Sequence, residues 1–184
     1  MIYSLDLRSA LLVAGLLLIV AGVLTLARLG AVADWLRAFP RSRTMGIGLC
    51  IAAALWAWWL VWTIDLGEFS NWRPRILILI PAAALLTMIF VEEFLAVRSL
   101  GMLVLLAAEP LLEAAWMRPE QSRLFLVSIV YVGITLSLFW IGMPYVLRDQ
   151  IGWFNAQQAR LRVLAMVLSA YGLLLVVSAL QLAR

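Results

Sequence analysis

Five charged side chains interrupt a stretch of this sequence that is otherwise apolar. Glu92, Glu93, Arg98, Glu109 and Glu113 all lie between Ile76 and Met117. If that stretch sits in hydrocarbon, a charge at its middle costs about 2.5–3.5 kcal/mol on insertion scales, so such residues tend to be paired, hydrated or functional. Glu109, Glu113, Trp116 and Glu120 fall within about 40° of one line on a continuous helix, because each residue turns ~100°. Pro110 follows Glu109. Proline disfavours helical backbone at the residue before it and deprives a carbonyl one turn back of its hydrogen bond. An acid beside a broken helix resembles, in its local physics, the ion sites of transporters. The chemistry expected is a proton or cation path through Glu109 and Glu113, with Arg98 as counter-charge.

Two plainer readings compete. The stripe can be the wet face of an interfacial helix beginning at Pro110, since proline is favoured at a first helical position. It can also be an ion-pair seam between helices or with a partner subunit. Glu92 and Glu93 are secondary candidates. As neighbours they project about 100° apart on a helix, so a shared-proton pair is not expected. Solvation, or pairing with Arg98 or a loop arginine, suits them better.

Missing residue types exclude much else. The cations are fourteen arginines; there is no lysine and no histidine. Imidazole-ligated haem, histidine-containing zinc sites and Ser–His dyads are therefore excluded. So are lysine Schiff bases and the phosphate-loop lysine. The single cysteine, Cys50, precludes a cysteine-ligated cluster within the chain and is expected to pack as a small hydrophobe. No cofactor or metal site is expected. The net charge of +4 is not gathered into a basic face with stacking aromatics, so nucleic acid is not an expected partner.

The elements that must position these residues are long and apolar. Hydrophobic residues make up 66% of the 184 and charged ones 13%, against about half and a quarter in soluble domains. A soluble fold of this size cannot bury so much apolar surface, whereas a bilayer removes the need to. The runs lack the period-2 alternation of barrel strands. The expected fold is all-α, a polytopic transmembrane helix bundle forming a single domain over residues 1–184.

Spans are expected at about Ala10–Leu29, Met45–Ile64, Ile76–Val97, Leu124–Leu147 and Val163–Leu182. A secretory signal is the rival for the first, with Ala31-Val32-Ala33 resembling a cleavage site, but the apolar core exceeds the usual 7–15 residues. Trp56, Trp58, Trp59 and Trp62 close the second span and suit an interfacial anchor; a quinone or pigment platform is the alternative. The stretch Ser99–Met117 is barely long enough to cross. It either spans, making six crossings, or forms a re-entrant or interfacial segment, leaving five. Residues 148–162 read as a short interfacial helix.

Arg28, Arg37, Arg41 and Arg43 place the first loop in the cytoplasm and the N-terminus outside. Arginine counts do not separate six spans from five. An internal echo leans towards six: loops 28–43 and 148–162 each open with Arg, carry a Trp midway (Trp35, Trp153) and close with Arg-x-Arg. Six spans put both on one face. Small residues such as Gly15, Gly22, Gly46, Gly48 and Gly172 let helices approach closely, within the bundle or against another protein. The function expected is a non-enzymatic membrane protein, an accessory or assembly subunit. It would sit in the bilayer of a bacterial inner membrane and pack against other membrane subunits or copies of itself. A small proton- or cation-conducting transporter is the alternative.

Overall fold

A computed structural model describes residues 3, 5–91 and 93–182. Eight α-helices and two 3-10 turns make up the described chain: α1 (Leu7–Ala27), α2 (Leu29–Ala38), α3 (Arg43–Thr63), α4 (Arg73–Phe90), α5 (Leu95–Ala115), α6 (Arg123–Gly142), α7 (Tyr145–Asn155) and α8 (Gln158–Gln181). Six are long and apolar enough to cross a membrane, namely α1, α3, α4 with the turn before it, α5, α6 and α8. The other two, α2 and α7, are short.

Local chemistry explains several boundaries. Ser42 caps α3, its hydroxyl accepting from the Met45 N–H at 3.3 Å. Pro74 sits in the first turn of α4, where its missing N–H costs nothing. Between α4 and α5 the chain reverses through a turn in which Phe94 adopts a left-handed conformation, φ 58°. The apolar run expected to continue to Val97 therefore stops at Phe90. Glu93 lies exposed in this turn, and Glu92 is outside the described residues. The Ala31-Val32-Ala33 triplet lies inside α2.

The helices alternate between two ends. At one, Tyr3, the α3 C-terminus and the α5 C-terminus meet; the Trp56 indole donates to the Tyr3 hydroxyl at 2.8 Å, and Arg118 pairs with Asp6 at 2.9 Å. At the other end the two arginine-bearing loops fold in part as α2 and α7, which touch one another; α7 ends at Asn155, so Arg160 and Arg162 lie in the first turns of α8 rather than in an interfacial helix running to 162. The Asn155 amide donates to the Ala33 carbonyl at 3.1 Å. Phe39, Ala96, Val97, Leu147 and Ile151 form a small core beneath them.

The main core joins α1, α5, α6 and α8 around Leu11, Leu126 and Leu175, all fully buried. α1 and α8 form the most extensive helix pair. Their contact is a backbone approach: Gly15, Gly22 and Gly172 are buried, and a Cβ on Gly172 would stand 2.6 Å from the Gly15 carbonyl oxygen. Gly46 meets Ala96 of α5 in the same way, whereas Gly48 faces open space. The stretch that sequence left ambiguous is one continuous helix, α5, and it is the most buried of the six.

α4 stands apart. It rests chiefly on α3, and none of its residues is buried.

Candidate functional site

α5 carries the carboxylates, and its packing decides what they face. Ala108, Pro110, Ala114 and Ala115 are buried against the main core. Glu109 lies on the other side of the helix and is exposed. It lines an open apolar groove of about 450 Å³ between α3, α4 and α5. The α3 and α4 walls are mostly short side chains, among them Ala53, Ala57, Ala83 and Ala84, with Cys50 and Thr87, whereas α5 contributes Met102, Leu105 and Leu106. Cys50 is only 3% exposed, as a small hydrophobe should be. A second groove of about 410 Å³, lined by Leu55, Trp58, Pro81 and Leu85, runs along the opposite flank of the α3–α4 pair.

Pro110 does not break α5, which runs unbroken from Leu95 to Ala115. Its missing N–H still leaves the Leu106 carbonyl without the usual donor four residues on. Leu106 lines the same groove as Glu109.

Glu113 follows one turn after Glu109, as its spacing requires. It is half-buried, and its Oε2 accepts from the Tyr3 backbone N–H at 3.4 Å. The Tyr3 ring also lies against Trp59, centroids 5.7 Å apart. Glu113 is therefore engaged in holding the N-terminal segment onto the ends of α3 and α5.

Arg98 is not brought to these acids. It shares their helix but lies eleven residues before Glu109, which is three turns or about 16 Å along the axis. Its Nε is buried without a hydrogen-bond partner among the described residues. The expected stripe also ends early. α5 stops at Ala115, Trp116 is extended, and Met117 turns the chain with φ 53°, so Trp116 and Glu120 leave the helical line.

Six of the nine tryptophans (Trp56, Trp58, Trp59, Trp62, Trp72 and Trp116) lie towards the end where Tyr3 lies; Trp35, Trp140 and Trp153 lie towards the other. Trp58 and Trp62 stack at 5.8 Å, and Trp58, Trp59, Trp62 and Trp72 are all exposed. The Arg75 guanidinium lies over the Trp72 ring at 4.9 Å.

Sequence spacing found Glu109 and Glu113 but not the groove. That groove depends on α4 leaning on α3 alone, which no periodicity in α4 announces. No protein-family model, curated protein or solved structure matches the chain, which leaves the fold and this geometry as the grounds for function.

Proposed function

We propose that the chain is an integral membrane protein that crosses the bilayer six times and docks a partner membrane protein in the groove between α3, α4 and α5. The observation that carries this is a carboxylate, Glu109, exposed sideways on an apolar face. Outward Leu17, Ile78 and Phe90, 66%, 73% and 76% exposed, suit lipid and need no other cover. Glu109 does not suit lipid. It lies six residues, about 9 Å, inside the α5 terminus, where a hydrogen-bond donor from another helix would offset the cost of keeping a carboxylate from water. The alanines of α3 and α4 let such a helix approach closely on that side, and close packing and polar contacts drive association where hydrophobic force cannot.

In this reading the end built from α2 and α7 faces the cytoplasm, by its arginine excess, and the N-terminus lies outside a bacterial inner membrane. Trp58, Trp59, Trp62 and Trp72 form an interfacial belt on the outer side. The protein has no reaction of its own and serves as an accessory or assembly subunit, a second copy being one candidate occupant. A conducting role for Glu109 and Glu113 fits less well, because Glu109 opens sideways and Arg98 is three turns away.

Native mass analysis after extraction from the source membrane in mild detergent tests the proposal. A complex heavier than one chain is expected. A lone chain at every concentration, with nothing copurifying, would count against it.

A further inference from the structure

We propose that the groove where α7 passes into α8 is a binding site for an anionic phospholipid, a function separate from partner docking but resting on the same membrane reading. Arg160 stands at its mouth. The guanidinium lies 4.4 Å over the Trp153 ring, and Nη1 donates to the Trp153 carbonyl at 3.2 Å. These two contacts fix the group in place and use one of its five N–H donors. Val163, Leu164 and Val167 follow at three, four and seven residues, on the same face of α8, and line one wall of a groove of about 460 Å³. Trp153 and Phe154, packed edge to face at 4.9 Å, form the other.

The mouth is thus cationic and the groove beneath it almost wholly apolar. That order, from the end of the bundle inwards, matches a phosphate headgroup above an acyl chain. A guanidinium is also suited to bidentate contact with phosphate oxygens.

Charge accounting calls for an outside anion. Eight arginines belong by sequence to this end (Arg28, Arg37, Arg41, Arg43, Arg98, Arg148, Arg160, Arg162), against four acids (Asp34, Glu92, Glu93, Asp149). Asp149 is taken by Arg148 at 2.8 Å, and Asp34 lies 3.6 Å from Arg37. Arg160 has no carboxylate partner among the described residues. The other end is balanced by sequence, six arginines against six acids, so the excess belongs to one leaflet.

Delipidated protein in mild detergent, offered equal phosphatidylglycerol and phosphatidylcholine of one chain length, tests the site by native mass spectrometry. The first bound lipid should favour phosphatidylglycerol about fivefold, the gain expected from one arginine near an anionic headgroup. Arg160→Gln should bring the two lipids to parity, Arg160→Lys should keep part of the preference, and Arg162→Gln, about 200° round the helix, should keep it all. Equal binding by the parent protein would overturn the site, as would undiminished preference in Arg160→Gln. Loss of the lipid to millimolar inorganic phosphate would also overturn it, since the acyl groove would then contribute nothing. Any of these results in a protein that still needs detergent leaves the membrane reading standing; recovery as a detergent-free soluble particle would remove that reading itself.

Discussion

Gly172→Leu should cost the bundle about 3 kcal/mol of stability, the upper range for forcing volume into a close-packed site. The reason is what the new side chain meets. Gly172 is buried on α8, and a Cβ there would lie 2.6 Å from the Gly15 carbonyl oxygen and 2.9 Å from the Ile19 nitrogen. Both are backbone atoms of α1, so no flexible side-chain tip can move aside. α1 must shift as a whole, and α1–α8 is the most extensive helix contact in the fold. Denaturant unfolding in mixed micelles, followed by circular dichroism, would measure the loss. Gly48→Ala is the matched control, with nothing within 4 Å of its Cβ. It should be neutral or stabilising by up to about 1 kcal/mol, the helix-propensity gain. Equal effects at the two positions would mean that α1 and α8 do not meet through Gly172.

Glu109→Leu should move stability and association in opposite directions. The isolated chain should be as stable as the parent or more so, because a carboxylate inside hydrocarbon costs about 2.5–3.5 kcal/mol at mid-membrane and somewhat less nearer the edge. Copurification of the partner should fall at least about tenfold, since a hydrogen bond to a charged group contributes about 1.5–3 kcal/mol. A merely structural Glu109 would show lower stability and unchanged association. A conducting Glu109 would show itself differently, as a flux in proteoliposomes that Glu109→Gln abolishes. Such a flux would replace the docking reading.

Hydropathy and helical spacing go far in this chain, and their failures share one cause. Apolar runs locate each long helix, with ends that differ by up to seven residues, because lipid and protein core both demand such residues. They cannot say which of the two a residue faces. Phe94 to Val97 extend the apolar run of α4 in sequence, yet Ala96 and Val97 belong to α5 and are buried beneath α2 and α7. Ser99 to Met117 looks marginal in length because Leu95 to Arg98, the first turn of α5, are counted outside it. Its Gly101, Ala108, Ala114 and Ala115 are small because α5 packs among other helices rather than against lipid. α2 went unrecognised as a helix within the first arginine-bearing loop, although the echo with residues 148–162 pointed to it. The Glu109–Glu113 pair was legible because four residues return a helix to nearly the same face. Arg98, expected in the turn before this segment, lies instead in the first turn of α5, and three turns of rise separate it from Glu109. The groove itself was illegible, since it depends on how α4 leans on α3.

Site-specific photo-crosslinking in native membranes tests the docking surface most directly. A photoreactive residue at Ala83, exposed in the Glu109 groove, should give one discrete protein adduct that disappears when Glu109→Leu is added. The same probe at Leu138, 60% exposed on α6, should capture lipid alone. Lipid-only capture at both positions, or a protein adduct at Ala83 indifferent to Glu109, would contradict a partner held in this groove through its carboxylate.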